Sequence, residues 1–162
     1  YSSRGRLSRA VLSMYASQDP RDWEHPDRSV LTKVYYALTD HPNLHHIFPL
    51  DFCKKHLGQH GQHADSLLNI AYLTQITNLD ISNKNPLEYL QEYIAKPSFD
   101  HVQQSHLLPQ LVIDWARQEE MPEDALARFV DARLDLILEK LRAFLSPIPV
   151  EEIDTRAQEN AE

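Results

Sequence analysis

Two imidazoles stand side by side in NLHHIFPLDFCKKH, at His45 and His46. Two amides, Asn69 and Asn78, follow in SLLNIAYLTQITNLDISNKNP, where a core segment would ordinarily avoid asparagine. Neutral imidazole is a metal ligand, and it is also the side chain whose ordinary pKa suits proton abstraction near neutrality. Adjacent histidines can therefore divide two tasks, one holding a cation and the other activating water. Neighbouring strand residues face opposite sides, so both rings reach one site only where a strand twists or ends. Pro49 supplies such an end. The alternative is a pair of surface histidines flanking a buried Ile47–Phe48. Asn69 lies inside an apolar run, where an unpaired amide costs roughly 1–3 kcal/mol. It is tolerable there if it pins the loop between two strands through backbone groups. Asn78 offers a side-chain oxygen to a hard cation such as Mg2+, or else a helix cap or an Asx-turn.

The elements that must carry these groups are legible from periodicity. Residues 4–17 place Leu7, Val11, Met14 and Tyr15 on one helical stripe, and QDPRDWEHPD is a polar, proline-broken loop. SVLTKVYYAL (29–38) reads as helix, with a strand left open by its β-branched and aromatic content. LHHIFPL (44–50) reads as a short strand, GQHGQHAD as loop and LLNIAYLT (67–74) as a second strand that contains Asn69. PLEYLQEYIA opens with proline at a first-turn position and spaces Leu87, Leu90, Tyr93 and Ile94 as an amphipathic helix. Two further amphipathic stretches follow, at 108–118 and 122–145. The second carries Leu126, Phe129, Val130, Leu134, Ile137, Leu138, Leu141 and Phe144 along one face. Pro147 and Pro149 end it, and a flexible tail is expected over 147–162. The expected fold class is α+β, mostly α. It is a single domain over 1–146, with a strand–loop–strand–helix core at about 43–95 and flanking helices at 4–38 and 98–145.

Composition bounds the function. A chain of 162 residues with 42% apolar content and three glycines is long and apolar enough for one real core, which excludes a disordered chain. No run of eighteen apolar residues and no signal-like start occurs, so no membrane partner is expected. The lone Cys53 has no internal partner for a disulfide, which suits a reducing, cytoplasmic setting. The start, YSSRGRLSRA, lacks an initiator Met, and the chain is expected to be a piece of a longer polypeptide. The net charge of −8 speaks against a nucleic-acid partner, but it is unevenly spread. Residues 1–100 hold 10 Lys/Arg against 11 Asp/Glu, whereas 101–162 hold 6 against 13. The acidity therefore belongs to the last third, and Arg4, Arg6, Arg9, Lys54 and Lys55 remain free to face phosphate.

LHHIFP followed by LLNIAYLTQITN resembles the His–Asn–His/Asn pattern of HNH (ββα-metal, His-Me finger) endonucleases. The step from Asn69 to Asn78 is similar to that in the HNH domain of the RNA-guided CRISPR nuclease. The longer phrase through SNKNPLEYL, with the trailer LARFVDARLDLILEKL, resembles the C-terminal nuclease domain of GmrSD-type and SspE-like restriction proteins over most of residues 5–145. The resemblance implies that His46 is the general base and that His45 and Asn78 bind the metal. It implies that Asn69 orders the loop and the base. Asn at position 78, where many HNH proteins have His, suits Mg2+ or Mn2+ better than zinc. The implied activity is metal-dependent nicking of DNA in antiviral defence. An N-terminal nucleotide-hydrolysing sensor domain of the same polypeptide would be the partner. Departures from the pattern are the loop at 50–66 and the acidic last third. The competing expectations are a catalytically inactive helical scaffold and an HNH nuclease acting on RNA.

Other residues carry weaker signals. Lys84, Lys54 and Lys55 are candidate phosphate contacts. His56, His60 and His63 are spaced H-x3-H-x2-H, but Gly58 and Gly61 argue against the helix that would converge them on zinc. Arg133 is expected to bridge helices, and Trp23 and Trp115 to anchor packing. No glycine-rich phosphate loop, nucleophilic serine constellation or paired cysteine set occurs.

Overall fold

A computed structural model describes residues 5–33 and 40–145. Its elements are α1 (Arg6–Ser17), β1 (Pro42–His46), α2 (Leu50–Phe52), β2 (Ile70–Thr74), α3 (Gln75–Ile81), α4 (Pro86–Ile94), α5 (Phe99–Ser105), α6 (Gln110–Gln118) and α7 (Ala125–Leu145). A π-helical turn, Cys53–Leu57, and a 3-10 turn, Gly58–Gly61, continue α2, and a second 3-10 turn, Leu67–Asn69, leads into β2. The architecture is α+β and mostly α, with one two-stranded antiparallel sheet. Its register pairs Pro42 with Thr74, His45 with Ala71 and His46 with Ile70.

The core forms where the helices cover this hairpin. Trp23 is fully buried against Tyr89, Tyr93, Phe99 and His106, at ring separations of 5.5–6.2 Å. Ile47 and Phe48 are fully buried too, and Phe48 packs on Phe129 at 5.1 Å. The α4 stripe Leu87, Leu90 and Tyr93 faces inward, and Asn85 caps that helix by accepting from Leu87 N–H at 3.0 Å. Trp115 is buried, with the Arg128 guanidinium 5.1 Å above its ring. The expectation that Arg133 bridges elements holds. Its guanidinium donates to Leu68 O and His106 O, both at 2.8 Å, and lies over the Tyr15 ring.

Several expectations need correction. β1 stops at His46 rather than running to Leu50, because Ile47 and Phe48 spend their backbone groups on Asn69 and Tyr89. β2 starts at Ile70, so Asn69 lies in the turn before the strand, not within it. The 50–66 stretch is largely helical turns instead of loop, and α3 follows β2 directly where no helix was expected. Thr74 creates that helix start by accepting from Thr77 N–H at 3.4 Å, and Asp40 accepts from Ile76 N–H at 2.8 Å. On α7 the buried stripe is Leu126, Phe129, Arg133 and Ile137, while Leu134, Leu138 and Phe144 are exposed. Leu7 on α1 is likewise exposed. Of the helix expected over 29–38, Ser29 instead bridges Arg21, Val30 N–H bonds Pro20 O, and 34–39 lie outside the described residues. The tail at 147–162 lies outside them as well. No described helix is long and apolar enough to cross a membrane.

Candidate active site

The end of β1 sets the first half of the site. His45 and His46 point to opposite faces of the pleat, but the strand ends at His46, and both rings line one open cleft of about 390 Å³. Leu44, Pro49, Leu50, Asp51, Asn78, Leu79, Ser82 and Asn83 complete its wall. Asn78 arrives one turn into α3, so the Thr74 cap that starts the helix also fixes where that amide points. His45 Nδ1 and Asn78 Oδ1 lie 2.7 Å apart.

Asn69 is fully buried and anchors the mouth of the hairpin. Its Oδ1 accepts from Phe48 N–H, and its Nδ2 donates to Phe48 O and Ala64 O, all at 2.8 Å. Its own carbonyl accepts from Ile47 N–H at 2.8 Å. The Tyr89 hydroxyl donates to Ile47 O. The backbone polar groups of Ile47 and Phe48 are thereby satisfied without a strand partner, which is how the chain leaves the sheet immediately after the two histidines.

Electrostatics separates the two imidazoles. Burial pulls His45 down to a pKa of about 4; the Asn78 hydrogen bond opposes the shift and the neighbouring His46 adds to it. His45 is therefore neutral near pH 7, the form a cation requires. Its Nε2 is buried with no hydrogen-bond partner, so Asn78 is the polar contact that orients the ring. His46 is partly exposed, and its Nε2 lies 3.2 Å from Asp65 Oδ1.

His45 and Asn78 are the residues here that could hold a hard divalent cation, once the proton that Nδ1 donates to Asn78 Oδ1 has left that nitrogen. Octahedral Mg2+ binds ligands at about 2.1 Å, which places neighbouring ligands about 3 Å apart, close to the His45–Asn78 spacing. Among the described residues no group of three or more His, Cys, Asp or Glu side chains is placed to hold a metal. A cation here would take two protein ligands and complete its shell with water and phosphate, as Mg2+ commonly does.

The remaining candidates stand apart. Lys54 and Lys55 are exposed on the π-helical turn, and Lys84 is exposed with its ammonium 3.8 Å from Asp80; none of the three lines the cleft. His56, His60 and His63 are exposed, and His56 stacks on Phe52 at 4.8 Å. Asp51, Asn83 and Asp65 belong to no motif in the sequence. Asn83 Nδ2 donates to Asp51 Oδ2 at 3.2 Å across the cleft wall. Ser82 permits this by adopting φ 47° and ψ −120°, a conformation that costs a non-glycine residue about 1–3 kcal/mol.

No protein family model matches the chain, and no solved structure does. An uncharacterised protein of Methanocaldococcus jannaschii is 27% identical over 163 residues, a match covering 90% of this chain and 27% of that protein. The chain therefore corresponds to about a quarter of the length of the curated relative it matches.

Proposed function

We propose that this chain is a divalent-cation-dependent nuclease domain of the HNH type that nicks DNA. The observation that carries the reading is the meeting of His45 Nδ1 and Asn78 Oδ1 at 2.7 Å, with His46 beside them on the same open cleft. His45 and Asn78 would hold Mg2+ or Mn2+. When bound, the ion supplies positive charge against which a phosphate oxygen and the leaving 3′ oxygen are stabilised. His46 accepts a proton from the water that attacks phosphorus. Asn69 keeps His46 at the end of β1 by holding the next two residues through the backbone. One such site cuts one strand, so a single copy nicks. Placed within a longer polypeptide with a nucleotide-hydrolysing sensor domain, it would act as a cytoplasmic effector of bacterial antiviral restriction.

Plasmid relaxation with Mg2+ or Mn2+ tests this. His46→Ala should lower the rate by about 10²- to 10⁴-fold, and Asn78→Ala should lower it with a rise in the cation concentration required. Equal relaxation by wild type and both variants would point to contamination and sink the assignment. Cleavage of RNA in preference to plasmid would move the substrate class. No cleavage of either, with the chain folded, would favour the scaffold reading.

A further inference from the structure

We propose that a second cleft beside the catalytic one takes an unpaired nucleobase carrying an amino group, turned out of the strand that the first cleft holds. The inference rests on the nuclease reading above and extends it from the scissile phosphate to the choice of base. This cleft encloses about 530 Å³, within the size of small-molecule sites. It lies between the π-helical turn, the start of α4 and the connection from α6 to α7, and its wall includes Phe52, His56, Asn83, Glu88, Met121 and Glu123. Asn83 lines the catalytic cleft as well, so the two adjoin.

This wall suits a base and not a phosphate. His56 lies nearly flat on Phe52, with ring centroids 4.8 Å apart and planes inclined by 27°. Phe52 is buried, and the exposed His56 ring carries the stack out into the cleft. A flat base thereby gains an aromatic face, and stacking of this kind tolerates any base. Met121 and Pro122 are half-buried and add apolar wall. Glu88, in the first turn of α4, and Glu123 are exposed carboxylates. At neutral pH they accept hydrogen bonds and repel phosphate, so they select the donor edge of a base and keep the backbone out. Cytosine N4 is such a donor, whereas thymine puts a carbonyl oxygen at the same place. Lys54 and Lys55 are exposed on the same π-helical turn as His56, a source of positive charge for the phosphates that flank the base.

Fluorescence anisotropy of short labelled single strands, at low salt and without divalent cation, tests this apart from cleavage. The chain should bind a cytosine strand about tenfold more tightly than a thymine strand, and a strand of abasic sugars more weakly than either. His56→Ala should weaken cytosine binding by about tenfold or more, towards the abasic level. Glu88→Gln and Glu123→Gln together should erase the preference for cytosine, because an amide also donates to the thymine carbonyl. The substituted side chains are exposed, so unfolding midpoints should stay at the wild-type value. Proton spectra should show the His56 ring resonances moved upfield by the cytosine strand and not by the abasic one. No binding of any strand, or equal affinity for cytosine, thymine and abasic strands, would overturn the inference even where plasmid nicking persists. So would a cytosine preference that survives in both His56→Ala and the double Gln variant. Cytosine binding with the expected dependence, but no nicking with either cation, would keep the base site and remove the nuclease reading.

Discussion

Two buried histidines divide this molecule into a region that is closed and a region that opens. His106, at the end of α5, and His45, near the end of β1, are 3% and 5% exposed, and burial pulls each pKa down to about 4. Around His106 the ring and its carbonyl are paired inward, although Trp23 Nε1 and Arg133 Nε beside it are buried without a hydrogen-bond partner. His106 Nε2 donates to Arg21 O at 2.7 Å, its carbonyl accepts from Arg133, and its ring edges onto Trp23. The His45 ring is not. One nitrogen lacks a partner, and the other meets Asn78 on the wall of a cleft. The same residue type at the same depth is a brace in one place and a candidate ligand in the other. The difference is whether the second polar group belongs to the packed backbone or to a side chain that a solvent-borne ion can reach.

The strongest way to break the contrast is to cut the brace of each region. Asn69→Ala leaves the Phe48 N–H and the Ala64 carbonyl unpaired and the Phe48 carbonyl with only the Cys53 thiol at 3.7 Å, and should cost about 4 kcal/mol in chemical denaturation. Arg133→Met frees the Leu68 and His106 carbonyls and should cost about 2 kcal/mol, with cleft chemistry less affected. Equal losses of nicking per unit of lost stability would erase the distinction.

Acid titration sharpens it next. His106 is neutral when folded, and the unfolded chain takes up its proton first, so stability rises with pH across this window. The contribution is complete above about pH 6.5, the ordinary histidine value, and is lost as pH falls towards about 4. It amounts to something on the order of 3 kcal/mol. His106→Gln should lower stability at pH 7 and flatten that acid slope; a slope identical to wild type would show that His106 does not set it.

The smallest expected effect is the one that bears on ligand binding. Mg2+ at roughly ten times its dissociation constant should stabilise the wild type by about 1.4 kcal/mol and leave Asn78→Ala unmoved. His106→Gln should respond as the wild type does. A stabilisation that survives in Asn78→Ala would place the ion elsewhere.

Much of the positioning was readable in advance because it is local. Pro86 foretold the start of α4 and an amide among apolar residues a loop-pinning Asn69, whereas Pro49 pointed to a strand through Leu50 and β1 ends at His46. Reading failed where packing overrode pattern. On α7 the sequence offers Leu134 to the core, yet Arg133 takes the buried position, because three nearby acceptor and ring partners compensate its charge. The helix α3 was missed because its exposed Ile76 and Leu79 blur the apolar period, and its start depends on a cap from Thr74 and an acceptor at Asp40.

The sequence by itself determined the hairpin, the double imidazole at its end and the mostly helical surroundings, since periodicity and proline act over a few residues. Only the tertiary structure decided that Asn78 meets His45 and that Asp65 meets His46, contacts spanning 33 and 19 residues. Such pairings leave no local period to read. They depend on how the chain turns out of the sheet, where a single amide at Asn69 satisfies three buried backbone groups.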